Sequence, residues 1–319
     1  MACCRAAILL LLFLLAGPAP GDAGTDELAA LRADDFRLSS IAYRLGRAGI
    51  AACPDPHPMT GLVLHDLGQY ASSRRAEVAA AFSLGRGIGV VAVVPGSPAD
   101  RAGIAANDEI IAIGETSIVQ SVPGPAVRPA FERLEHVLAI LRDAHGTVRL
   151  GVQRGGQPFS VELAPEPGCT ADVILLPSDE LNAWADGTYV VVTSAMLAFV
   201  RSDDELAFVV AHELAHDILK HRDRLDAAGV PRGILRSLGV GAKAVRSTED
   251  EADRFAIRLM VDAGYRPRAV LEFWDRFAPR SGSGDPTHAP RESRIAAIRA
   301  EVESLEAIAA LPGNIPGPK

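Results

Sequence analysis

No apolar run in this chain is long enough to cross a bilayer. The longest, Ala6 to Ala16, counts eleven residues, where a spanning helix needs about twenty. Positive charge is also in short supply. Lys and Arg number 32 against 40 Asp and Glu, a net −8, which excludes nucleic acid and anionic membrane surfaces as the main partner. Cysteine is scarcer still, with four in 319 residues. What the chain has in quantity is apolar side chain, 48% of all residues. That is enough for a sizeable core and, at this length, for two domains.

The first residues read as a secretory signal. Arg5 supplies a short positive region, Ala6 to Ala16 the apolar stretch, and Gly21-Asp22-Ala23 a small-x-small cleavage site, so residues 1–23 are predicted as a signal peptide. Membrane association then arises only if that segment stays uncleaved as an anchor. Removing it also removes Cys3 and Cys4, leaving Cys53 and Cys169. In an oxidising compartment an even pair favours a disulfide; two buried free thiols are the alternative.

Residues 24–53 form a predicted helical arm, with Leu28, Leu31, Phe36, Ile41, Tyr43 and Leu45 at helical spacing among charges. The run Cys53-Pro54-Asp55-Pro56-His57-Pro58 breaks regular structure. Short β-branched runs punctuated by glycine follow. Strands are expected at Ile88–Val94 and Glu109–Ile113, and a helix capped by Ser97 with Pro98 at its first position. A second helix is expected over Ala130–Ala144, then a hairpin around Gly155-Gly156.

Residues 54–168 thus resemble a PDZ domain of the bacterial type, carried by Gly87-Ile88-Gly89-Val90, by PGSPADRAGI over 95–104 and by NDEIIAI over 107–113. Asn107 departs from the glycine usual there, and residues 122–129 form a proline-rich insert. The resemblance implies a peptide-binding module in which the amides of Gly87, Ile88, Gly89 and Val90 receive a peptide C-terminus. The alternative is a module that only packs. Cys53 and Cys169 flank this segment, and a bridge between them would staple it shut.

In the second half, predicted strands at Ala171–Leu176 and Thr188–Thr193 enclose Asn182-Ala183-Trp184-Ala185. Asn182, Ala183 and Trp184 are candidates for holding substrate along a strand edge, with Trp184 as plain core the alternative. Next comes Ser202-Asp203-Asp204-Glu205, a capping box in which Glu205 is expected to reach the Ser202 amide. The helix it opens is apolar nearly all round, and it carries His212-Glu213-Leu214-Ala215-His216. Positions i and i+4 share a helix face, so both imidazoles can grip one metal ion, with Glu213 as general base for the attacking water. Five residues alone can match by chance, so context must decide.

Downstream, Ser247 to Phe255 (STEDEADRF) offers Glu249 as a third ligand and Asp253, one turn on, as acceptor for a ligand histidine. Glu251 is the competing ligand, and an acidic first turn serving the helix dipole is the bland alternative. His221 reads as a helix-end residue rather than a ligand.

HELAH, the E-x-x-x-D of STEDEADRFA and the lead-in NAWA…VVVTSAML together resemble the HtpX-type or CAAX-prenyl-protease-like zinc endopeptidases, over about 170–310. The resemblance implies a gluzincin with one Zn2+ per chain on His212, His216 and Glu249. Its C-terminal signature matches at 287–295, where His288 and Arg294 become candidates for oxyanion stabilisation, a closed resting state, or simple anchoring.

The expected fold is α+β. A PDZ-like β-barrel domain (54–168) precedes a mainly helical zincin domain (169–310), with a disordered tail at 311–319. The expected function is zinc-dependent endopeptidase action on exported or envelope proteins in a bacterial periplasm, the PDZ-like module binding or gating protein and peptide substrates. The competing class is a non-proteolytic, zinc-containing PDZ binding or chaperone-like protein.

Overall fold

The structure, a computed structural model, describes residues 22–119, 127–169, 171–230, 239–277 and 291–309. The predicted signal peptide, His288, the tail and most of the proline-rich insert therefore fall largely or wholly outside the described residues.

Helix α1 (Asp22–Ala48) runs through most of the expected arm and ends in a 3-10 turn at Gly49–Ala52. It belongs to two cores. Leu28 packs with the sheet side of the PDZ-like half, while Leu38, Ile41, Ala42 and Leu45 enter the core around the metal-motif helix. Strand β1 (His57–Met59) pairs antiparallel with β8 (Glu166–Gly168). The proline-rich run therefore ends in a short strand rather than staying wholly irregular, and His57 and Pro58 lie in it. Cys53 and Cys169 are bonded, with their Cα atoms 5.4 Å apart across 116 positions.

Between those closing elements lie β2 (Leu62–His65), α2 (Arg75–Phe82), β3 (Ile88–Val93), α3 (Pro98–Arg101), β4 (Glu109–Ile113), β5 (Thr116–Ser117), α4 (Val127–Arg142), β6 (Val148–Arg154) and β7 (Gln157–Leu163). The sheet order is β2-β3-β4-β6-β7, with β5 paired to β4. The Ser97 hydroxyl accepts the Asp100 amide and Pro98 opens α3, as expected of that pair. Gly155 and Gly156, at φ 55° and 81°, turn β6 into β7; a two-residue hairpin of this kind needs positive φ at both positions. Ile88, Val90, Ile110, Leu150 and Val152 meet Leu134, Val137 and Leu141 of α4 in one core.

The second half contributes β9 (Asp172–Leu176), β10 (Ala183–Ala185) and β11 (Tyr189–Thr193), in sheet order β10-β11-β9. The helices are α5 (Ser194–Phe199), α6 (Asp203–Ile218), α7 (His221–Ala227), α8 (Gly239–Asp262), α9 (Ala269–Phe277) and α10 (Arg291–Ala309). Twelve of the sixteen residues of α6 are buried, as its all-round apolar pattern requires. Two boundaries differ from expectation. α6 stops at Ile218 rather than running to His221, because Lys220 adopts a left-handed conformation and starts α7. The acidic cluster 249–253 lies in the middle of α8 rather than at its first turn, so it cannot be explained as dipole capping. Among the described residues no helix is long and apolar enough to cross a membrane.

Candidate metal centre and active-site cleft

The first turn of α6 sets its position. The Ser202 hydroxyl accepts the Glu205 amide. The Glu205 carboxylate does not return to Ser202; it accepts the Arg201 amide and the Arg276 guanidinium of α9. Asp204 accepts both the amide and the side chain of Arg266, and Asp203 meets Arg37 of α1 at 2.7 Å. Anchored from three sides, α6 presents His212, Glu213 and His216 at one place on the surface of its core.

Helix α8 crosses that face. Glu249 brings one carboxylate oxygen within 3.5 Å of His212 Nε2 and the other within 3.5 Å of His216 Nε2. The two Nε2 atoms are 3.2 Å apart, and the ligand atoms of all three residues lie within 4.8 Å of one another. One turn along α8, Asp253 Oδ1 sits 3.0 Å from His212 Nδ1. Arg294 of α10 grips the same carboxylate with two nitrogens, at 2.5 and 2.9 Å, and stacks 4.5 Å over the Trp274 ring. Arg294 and Asp253 are 5% and 1% exposed, so this guanidinium is an anchor between α8 and α10 whose remaining reach, 3.5 Å, is to His212 Nε2 and Glu249.

The electrostatics follow from this packing. Burial disfavours charge on His212, but hydrogen bonds to Asp253 and Glu249 outweigh it and raise the ring to about 10. Burial and the neighbouring His212 push His216 down to about 3. Burial opposes the charge on Glu249 as well, yet its hydrogen bond to His212 and the nearby cations hold it below the ordinary carboxylate range. Burial lifts Glu213 to about 7, against a hydrogen bond from the Ala185 backbone. Two imidazoles and one carboxylate is a donor set suited to a zinc ion with room for a further ligand. It fits here because Asp253 Oδ1, 3.0 Å from His212 Nδ1, stands where it can accept that nitrogen's proton, which would leave Nε2 as the lone-pair donor.

A cleft of about 790 Å³ opens over the cluster. Asn182, Ala183 and Trp184 line one side of it, with Phe208, Phe273, Trp274 and Phe277 on another. Among the described residues strand β10 is an edge strand, paired to β11 alone, and Trp184 is 36% exposed rather than core. Its far end is tied to α6, where Glu213 and Asp217 take backbone hydrogen bonds from Ala185 and Gly187.

The PDZ stretch is placed otherwise than the open amide nest expected. Gly87, Ile88, Gly89 and Val90 are all buried, and β3, which takes up Ile88 to Val90, is an interior strand. Gly89 lies opposite both His65 and Glu109, the Val90 amide bonds Asp108 O, and the Gly87 amide bonds the Glu109 carboxylate at 2.5 Å. Arg133 closes over the same corner, pairing with buried Asp66 and donating to the carbonyls of Arg86 and Gly87.

Sequence reasoning set His221 aside, and the structure places it against the site. Its ring is 1% exposed and its Nδ1 lies 3.0 Å from His216 Nδ1. The aromatic wall from α9 was also missed. Its signal is the apolar spacing of Val270, Phe273, Trp274 and Phe277, which marks a buried face but not what that face borders. Glu251 turns away from the centre toward His221 and Arg224.

Residues 160–235 and 233–302 match the profile of Peptidase family M48, and residues 89–154 that of a PDZ domain. The putative beta-barrel assembly-enhancing protease of Vibrio cholerae is 31% identical over 150 residues, 36% of this chain and 31% of that protein. The beta-barrel assembly-enhancing protease of Escherichia coli K12 is 29% identical over 160 residues, 39% and 33% of the two chains. The mitochondrial metalloendopeptidase OMA1 of Saccharomyces cerevisiae is 25% identical over 140 residues, 39% and 38%. The chain spans about a third of the length of these curated relatives.

Proposed function

We propose, from the premise that residues 160–302 form a Peptidase family M48 domain beside a PDZ domain, that this chain is a zinc-dependent endopeptidase of exported or envelope proteins. The observation that carries the proposal is the convergence of His212, His216 and Glu249 within 4.8 Å, with Glu213 on the same helix face. The relatives' printed names, proteases and a metalloendopeptidase, support the reaction class, and those from bacteria motivate a periplasmic setting.

His212, His216 and Glu249 would hold the zinc ion, which supplies Lewis acidity to the scissile carbonyl and to the attacking water. Glu213 accepts the proton of that water and passes it to the leaving amine. Its carboxyl, raised by burial to about 7, is matched to taking and giving a proton near neutrality. The bond from Ala185 keeps it beside the edge strand β10. An extended substrate pairs with that strand, with Trp184 and Asn182 along its path. The apolar wall of Phe208, Phe273 and Phe277 excludes water from the opposite side. Arg294 orients Asp253 and, through it, His212. The PDZ module selects or gates protein substrates. Because the Gly87–Val90 backbone is taken up within the sheet, that role falls to another part of the module's surface.

The test is metal analysis and casein cleavage on the full chain and on Glu213→Gln. Both proteins should hold one zinc, and the variant should lose about 10²–10⁴-fold in rate. Cleavage that persists in Glu213→Gln removes the base assignment.

A further inference from the structure

We propose that His221 is a positioning residue for the metal site. It accepts a hydrogen bond from His216 Nδ1–H and, with Glu251 behind it, holds His216 in the tautomer whose Nε2 lone pair faces the centre. This rests on the ligand set proposed above and adds a second orienting chain to it.

The argument is one of proton counting. The Nδ1 atoms of His221 and His216 are 3.0 Å apart, so one ring donates and the other accepts. The other nitrogen of His221, Nε2, is buried with Glu251 Oε2 3.4 Å away, close but out of line for a hydrogen bond. An ionised carboxylate only accepts, and Arg224 Nη1 lies 2.9 Å from the same oxygen and holds it in place. The neutral His221 ring therefore carries its proton on Nε2 and presents a lone pair at Nδ1. His216 must then be the donor at Nδ1, which leaves its Nε2 free of a proton, pointing at Glu249 and His212.

His212 is oriented in the same way by Asp253. Both chains end on α8, two residues apart, and the one to His216 passes through a second imidazole. The local backbone serves this placement. α6 stops at Ile218, Lys220 turns at φ 51° and ψ 41°, and His221 opens α7 with its ring folded under His216, the two ring planes at 79°. A ring this buried, 1% exposed, is costly unless its polar atoms are used.

The experiment measures zinc affinity by chelator competition for the full-length wild type, His221→Leu and His221→Asn. The nitrogen-bound protons of the wild type's histidines are read in parallel by long-range ¹⁵N correlation spectra with zinc loaded. Removing the acceptor in His221→Leu should weaken zinc binding by about 10–100-fold. His221→Asn, whose side-chain carbonyl stands where Nδ1 stood, should recover most of that loss. Spectra should place the His216 proton on Nδ1 and the His221 proton on Nε2. That reading decides the question even if His221→Leu does not fold. Unchanged affinity in a folded His221→Leu, failure of Asn to recover any of the loss, or a proton on His221 Nδ1 overturns the inference while leaving the ligand set standing. A wild type that binds no zinc overturns the ligand set and the inference together.

Discussion

The sequence left Arg294 between oxyanion stabilisation and anchoring, and its ion pair with Asp253 favours the anchor; Arg294→Met separates the two roles. The wild-type guanidinium spans Asp253 with two hydrogen bonds and lies over Trp274, all within a site where Asp253 is 1% exposed. Methionine fills much of the same volume but leaves the Asp253 carboxylate with His212 as its remaining charged partner. Removing one member of a buried ion pair costs about 3–5 kcal/mol. For an unfolding unit the size of the peptidase half, at about 2–4 °C per kcal/mol, the melting temperature should fall by roughly 10 °C. Zinc affinity should fall with it, because the carboxylate that fixes the His212 tautomer loses its own support. Calorimetry of zinc-free and zinc-loaded protein, beside kcat and KM on casein, reads both effects. A variant that melts within about 2 °C of wild type yet loses kcat at unchanged zinc affinity would refute the anchor and return Arg294 to the transition state.

Three further outcomes follow from the geometry. Glu213 acts as a base only when deprotonated, and burial raises it to about 7; a bound cation can only lower that value. The acid limb of kcat/KM should therefore rise with pH with its midpoint at or below about pH 7, and a midpoint above about 8 contradicts the base assignment. Chelation should abolish cleavage and stoichiometric zinc restore it; at free zinc about 1,000-fold over its Kd the metal stabilises the fold by about 4 kcal/mol, so an unshifted melting curve counts against a built site. Reducing Cys53–Cys169 frees a loop spanning 116 positions, worth up to about 5 kcal/mol of unfolded-state entropy. The β1–β8 pairing still holds the same two ends in the folded state. The Cys53→Ser/Cys169→Ser variant should melt lower by several degrees with zinc affinity unchanged, and loss of zinc binding would show that the bridge shapes the site.

Some of the fold was legible because single elements announce themselves. Ser97-Pro98, the Gly155-Gly156 turn and the periodicity of α1 and α4 each carry a local cause, and each is present in the structure. Strand β2 was not assigned. Its Leu62-Val63-Leu64 is a short apolar run without alternation, compatible with strand or buried helix alike. Helix α2, Arg75–Phe82, was missed because it buries only Val78 and Phe82 and has little apolar periodicity. The start of α8 was hidden for a related reason: Gly239-Val240-Gly241 is a poor helix opening by propensity, and burial of Ala242 and Val245 against neighbouring elements supports it instead.

The pairing of the candidate ligands was legible in the sequence alone. Positions i and i+4 on a helix with too many apolar residues to be exposed oblige His212 and His216 to share one buried face. The same spacing brings Glu249 and Asp253 to a common side of α8, whatever the rest of the chain does. Tertiary structure decided which of those acidic groups each imidazole meets, since that depends on how α6 and α8 cross. It also decided that Arg294 closes on Asp253, that the Gly87 amide is spent on the Glu109 carboxylate while Ile88–Val90 lie inside a sheet, and that β10, among the described residues, has a free edge beside the cleft. His221 belongs with these. Its sequence position says only that it follows a helix. The left-handed turn at Lys220 and the packing of α7 and α8 bring its ring against His216, and no local pattern encodes a contact made across three elements.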